Sequence, residues 1–176
     1  IVEIPQPAIM SVAAMTDRIN AIQQVTRNKM IAEVHYGVIP GTQKPTLYKA
    51  GSEMLLTMFS IGTEVDVQDL SDADRIKYRV TVTGVHTPTG ARIGQGVGEC
   101  SSAEEKYQWR NAVCDEEYDA TPEARRRVKW TKKWDNNRPS YYQSKQVRTA
   151  PDDLGNTVLK MAKKRAQIDM TLTALG

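Results

Sequence analysis

Ile76 to Val85 (IKYRVTVTGV) alternates polar and apolar residues, turns at Thr87-Pro88-Thr89-Gly90, and returns as Ala91 to Glu99 (ARIGQGVGE). Successive side chains of a strand point to opposite faces, so this alternation reads as a half-buried hairpin with its register set by the apolar face. Gly94, Gly96 and Gly98 fall at every second position of the return strand and strip one face of side chains. Glycine inside a strand marks close approach by another backbone. The strand is therefore expected to lie tightly under a helix or a neighbouring subunit. The same glycines mimic a G-x-G-x-G nucleotide loop, but that motif needs a strand before the glycines and a helix opening on them. Here the glycines are the strand itself.

The covering helix is legible far downstream. Thr157 to Gly176 (TVLKMAKKRAQIDMTLTALG) reads as one amphipathic helix ending in Gly. At about 100° per residue, Val158, Met161, Ile168, Leu172 and Leu175 share one arc, with Lys160, Lys163, Lys164, Gln167 and Thr171 opposite. Arg165 and Asp169, four apart at the border, are expected to pair. The lysine arc reads either as an ordinary solvated face or as a face for a phosphate backbone.

Upstream, residues 11–32 have helical apolar spacing. Residues 34–45 (VHYGVIPGTQKP) are too rich in Gly and Pro to be regular. Its Tyr36 reads as exposed, and the loop as either a helix–helix connection or a contact with DNA or a subunit. Residues 49–59 read as a second helix, followed by Gly62 where a C-cap glycine is favoured, and 63–68 as a short strand. Beyond the hairpin, Ser101-Ser102-Ala103-Glu104 is a capping box that predicts a helix to about Tyr118. Thr121-Pro122-Glu123 starts a further short helix. Residues 135–151 read as loop, with one short strand near 144–147. The fold class expected is α+β: a small twisted antiparallel sheet of three strands packed on the basic closing helix, with N-terminal helices and a helical, basic insertion at 100–155.

The length of 176 residues suits one domain with a sizeable core. No apolar run approaches the length that spans a bilayer, and the chain is expected to be cytoplasmic. It starts at Ile1, so further residues are expected at the native termini. Cys100 and Cys114 alone suggest buried thiols in a reducing compartment. They are far from His35 and His86, and the four make no zinc spacing. Glu104-Glu105-Lys106 has the E-x-K form of metal-dependent nucleases but lies on a predicted helix without a strand-borne Asp. No nucleophile–base pair is legible, so neither catalytic residues nor a cofactor or metal are assigned.

Net charge is only +3, yet it is divided. Residues 99–119 hold seven acids against Lys106 and Arg110, and residues 121–150 hold nine bases against Glu123 and Asp135. A basic block attracts polyanions. A bound strand is thus expected to follow the second segment and avoid the first, and the same asymmetry suits head-to-tail self-association. Within the block, Arg125 to Trp134 (RRRVKWTKKW) interleaves bases with Trp130 and Trp134, and Tyr141 and Tyr142 follow. Single strands are held by cations along the backbone and aromatic faces under the bases; alternatively the tryptophans are core. The candidate DNA-binding residues are Arg125, Arg126, Arg127, Lys129, Trp130, Lys132, Lys133, Trp134, Tyr141, Tyr142, Lys160, Lys163, Lys164 and Arg165.

The order of elements carries a resemblance. Tyr48 to Gly62 is a helix ending in an aromatic and a glycine, the Gly-alternating strand ends Gly96-Val97-Gly98-Glu99, and the closing helix has the form KxAxKRAxxDxxLxALG. Val34 to Thr42 and Lys44 to Gly51 match V-x-Y-G-x-I-P-G-T and K-P-T-L-x-K-x-G. Over roughly 34–99 and 156–176 the chain resembles the Rad-fifty-two superfamily of single-strand annealing proteins, in its phage and mobile-element branch with Sak, Erf, RecT and Red-beta. Two departures stand out. The stretch between hairpin and last helix is much longer here, and Asp169-Met170-Thr171 replaces the Lys-Arg pair that the superfamily places late in the helix. Strand-binding residues are therefore not carried over one by one. The resemblance implies a homo-oligomeric ring or helix with a positive groove, in a bacterium or phage-infected host. It implies ATP-independent annealing of complementary strands through a duplex intermediate, and contact with a single-strand-binding protein. The rival readings are an oligomeric adaptor without nucleic-acid binding and a metal-dependent nuclease.

Overall fold

A computed structural model describes residues 11–39, 42–135 and 138–175. The architecture is α+β, with small antiparallel sheets and the C-terminal helix packed on one of them. None of the described helices is long and apolar enough to cross a membrane. The chain forms two compact units, one of residues up to 62 with 85–92, the other of 63–84 with 93 onward.

In the first unit, α1 (Val12–Asn28) is capped by Ser11, whose hydroxyl accepts from Ala14 N at 3.2 Å. It stops at Asn28, earlier than its apolar spacing predicts, with Lys29 out of helical geometry at φ −126°. The segment expected to be irregular contains two short strands, β1 (Tyr36–Val38) and β2 (Pro45–Leu47), paired antiparallel. Gly37 there serves close approach rather than breakage: a Cβ on it would lie 2.5 Å from the Tyr48 hydroxyl. Tyr36 is half-buried rather than exposed. In α2 (Lys49–Met58), Ser52, Leu55 and Leu56 are buried. Ser60, at φ 52°, makes the turn expected of Gly62, which lies in the following strand.

The hairpin and its neighbour form as the alternation predicts. β3 (Ile61–Asp69), β4 (Lys77–His86) and β5 (Ala91–Ser101) make a three-stranded sheet in that order. α5 (Gly155–Leu175) lies on β5 at backbone distance. A Cβ on Gly96 would overlap Met170 N and come within 2.5 Å of Ala166 O, and one on Gly98 would overlap Ala166 N. Val80, Val82, Val158, Ala162, Ala166 and Met170 are almost fully buried.

The buried stripe of α5 is rotated from the predicted arc. Leu172 is 53% exposed, whereas Thr171, expected on the polar arc, is 1% exposed. Hydropathy selects the large apolar residues, but a glycine-stripped strand admits small side chains, so the helix presents Ala162, Ala166 and Ala174. The same closeness separates Arg165 from Asp169. The Asp169 carboxylate accepts from Val97 N at 2.9 Å. Arg165 instead donates to both oxygens of Glu104, at 2.7 and 2.8 Å, and to the Glu99 carbonyl.

Arg165 holds the Glu104 carboxyl down to about 2 from an ordinary 4.5. A carboxyl lowered by folding contributes stability that is complete above the ordinary value and lost as pH falls toward the folded one. Thermal melts from pH 5 to pH 2 should therefore fall more steeply for the wild type than for Glu104→Gln. Parallel curves would show that the pair adds nothing to acid stability.

The segment 100–155 departs most from its reading. The contact expected of a capping box is present, Glu104 accepting from Ser101 N at 3.3 Å, but Ser101 ends β5 and Glu104 itself is the N-cap of the helix that follows. Even so, α3 (Glu105–Gln108) lasts one turn, because Trp109–Asn111 forms β6 and pairs far along the chain. After it come α4 (Asp115–Ala120) and a single 3-10 turn, Glu123–Arg125. The basic block is then a strand, β7 (Arg126–Asp135), and the expected loop is an eleven-residue strand, β8 (Arg138–Arg148). The sheet order is β6-β8-β7. Cys100 is buried as expected, but Cys114 is exposed at the start of α4; both are free thiols.

Candidate nucleic-acid interface

β7 and β8 pair from Arg126↔Val147 to Asp135↔Arg138, and two residues, 136 and 137, link them. The register sorts their side chains into two faces. The first carries Arg126, Val128, Trp130, Lys132 and Trp134, opposite Val147, Lys145, Gln143, Tyr141 and Pro139. The second carries Arg127, Lys129, Thr131 and Lys133, opposite Gln146, Ser144, Tyr142 and Ser140.

The half of the ribbon nearest the 3-10 turn is braced on both faces by the acidic segment. On the first face, Lys145 pairs with Asp115 at 2.9 Å, and Arg110 with Glu117 through two hydrogen bonds. Arg126 donates to the Tyr118 and Asp119 carbonyls and stands 5.0 Å from the Tyr118 ring centroid. On the second face, Glu105 accepts from Arg127 at 3.0 Å and from Lys129 at 2.9 Å, and Arg127 also covers the Trp109 ring at 4.4 Å. These cations draw the carboxyl of Glu105 below its ordinary range, Lys129 most strongly. The acidic segment, expected to stand apart from a bound strand, is thus folded onto the basic one and neutralises its root.

The outer half is different. Beyond Gln146 only two strands remain, and Trp130, Trp134 and Tyr141 are 63%, 64% and 62% exposed on one face. The tryptophans are not core. Lys132 lies between them on that face, its ammonium 4.3 Å from the Trp134 ring centroid. Among the described side chains, neither Lys132 nor Lys133 has a carboxylate partner. Tyr142 is half exposed on the second face. A large apolar surface left in water is more informative than a buried one. Interleaved with cations, it offers stacking and phosphate contacts together.

The other candidates are elsewhere. Arg125 is exposed in the 3-10 turn, and Lys160 and Lys163 are exposed on α5, with Lys164 half-buried there. Arg165 is half-buried and held by Glu104 and the Glu99 carbonyl, away from the ribbon. That pair also occupies the first carboxylate of the E-x-K motif. Among the described residues no cluster of three or more His, Cys, Asp or Glu side chains is placed to hold a metal.

Sequence reasoning missed Val128 and Gln143, which line an open concavity with Asn111 and Val113 beside Trp130. The signal that could have found the strands is the alternation of Trp130, Lys132 and Trp134 at every second residue, the period of a strand. Comparison with protein families, with curated proteins and with solved structures finds nothing that matches the chain.

Proposed function

We propose that this chain binds single-stranded DNA on the outer half of the β7–β8 ribbon and promotes annealing of complementary strands without nucleotide hydrolysis. The observation that carries the reading is the exposed row Trp130, Lys132, Trp134 with Tyr141 opposite. Each base stacked on an aromatic ring contributes about 1–3 kcal/mol and does so for any sequence. Cations hold the phosphates, and counterion release makes affinity fall with salt. The annealing step rests on the sequence resemblance of residues 34–99 and 156–176 to the Rad-fifty-two superfamily. On that reading the chain works as a homo-oligomer in the cytoplasm of a bacterial or phage-infected cell, beside a single-strand-binding protein.

The test is the rate at which two complementary fluorescent oligonucleotides pair, without ATP or magnesium, with and without protein. Acceleration of at least about tenfold is expected. Tight binding without acceleration would make the chain a passive binder, and no binding would favour an adaptor whose aromatic row meets a protein.

A further inference from the structure

We infer that the β7–β8 ribbon is a wedge that takes a forked nucleic acid, one unpaired strand on each face. The inference rests on the strand-binding reading above and names its preferred substrate. The two faces differ in chemistry. The first is dominated by rings, Trp130, Trp134 and Tyr141, with the single cation Lys132 among them. The second offers a row of cations at every second residue or its multiple, Arg127, Lys129 and Lys133, facing the polar side chains of β8.

On the second face a single exposed carboxylate, Glu105, bridges Arg127 and Lys129 and leaves Lys133 unmatched among the described side chains. An anion already sits between two cations there, held by hydrogen bonds of the kind a phosphate oxygen accepts. Among the described side chains of that face, Glu105 is one carboxylate against four cations, Arg138 being the fourth by register, and the face is left positive. Bases therefore suit the first face and a phosphate backbone suits the second.

The ribbon is one layer thick and keeps strands on its two faces apart. Among the described residues the outer edge of β7 has no strand partner, and β8 has none but β7 beyond Gln146. From Trp130 to Trp134 the free part runs about 13 Å at about 3.3 Å per residue. Strands lying on opposite faces, parted by the ribbon, converge past its end as well as around its free edges. That is the geometry of a fork, where two single strands converge on a duplex.

The probe is a short duplex with two unpaired oligothymidylate arms, compared by fluorescence anisotropy with one such arm alone and with the blunt duplex. The fork should bind about tenfold or more tightly than the single arm. Lys129→Ala with Lys133→Ala should bring the fork to within about twofold of the single arm, while single-arm affinity falls less than about threefold. Glu105→Gln, which frees the same cations, should move the fork the opposite way and guards against a folding defect. A fork bound no more tightly than its arm overturns the wedge while leaving strand binding intact. So does a lysine variant that weakens fork and arm by the same factor, because one strand then uses both faces. Binding to neither probe by the wild type removes the strand-binding reading itself, and the wedge with it.

Discussion

Replacing both exposed tryptophans, Trp130→Ala with Trp134→Ala, should lower affinity for a single-stranded oligonucleotide by at least about 30-fold. Stacking of about 1–3 kcal/mol per base gives at least about 2 kcal/mol for two rings, and each 1.4 kcal/mol is about tenfold. Both side chains stand mostly in water, so the folded state loses little with them. Surface changes away from special features usually stay within about 0.5 kcal/mol. A melting temperature close to that of the wild type beside a large loss of binding separates stacking from unfolding. Trp130→Phe with Trp134→Phe should recover part of the affinity, since a smaller ring still offers a π-face. Lys132→Ala acts through charge instead, and should flatten the salt dependence by about 0.7 in log–log slope for one lost phosphate contact. Double-alanine binding within threefold of the wild type would move the site off the ribbon.

Gly96→Ala should be among the most damaging single substitutions in the chain. The added Cβ would overlap Met170 N and stand 2.6 Å from Met170 Cα and 2.5 Å from Ala166 O. All three are backbone atoms, so no rotamer change relieves them and α5 has to lift from β5. Overpacking typically costs about 1–3 kcal/mol and occasionally more. With backbone on both sides a loss of about 3 kcal/mol or more is expected, against a total of about 5–15 kcal/mol for an ordinary domain. Gly94→Ala is the control: its Cβ would meet the Ala174 Cβ at 3.0 Å, near the end of the helix, and should cost less. Urea unfolding reads both. A Gly96→Ala protein within 0.5 kcal/mol of wild type would mean that the helix does not lie on the glycine strand.

These two predictions differ in how they could be read from the chain alone. The glycine strand is a local pattern with one physical solution, so both the hairpin and its cover are legible. The choice of helix face is not, because it depends on what the strand lacks. Alanines sit where hydropathy places leucines, and Leu172 is left in water. The basic ribbon failed for another reason. Neither helix starts where its cap predicts: Glu104 does accept from Ser101 N, but Ser101 ends β5 and Thr121 closes α4, and non-local pairing of Trp109–Asn111 and Arg126–Asp135 with β8 cuts both segments short. Composition did locate the candidate site. What it could not supply was the register that puts Trp130 and Trp134 on one face and Arg127 and Lys129 on the other. Nor could it show that Glu105 and Asp115 neutralise the root of the block they follow.

The central claim is that single-stranded DNA meets this protein through the exposed rings of the ribbon. The chain has three tryptophans, and two of them, Trp130 and Trp134, lie in that row. Titrating the protein with oligothymidylate at low salt, while following indole emission and the rotational anisotropy of a label on the DNA together, tests it directly. The account predicts saturable quenching of most of the emission, with the same midpoint as the anisotropy rise. An anisotropy rise with unchanged emission would place the strand elsewhere and contradict it.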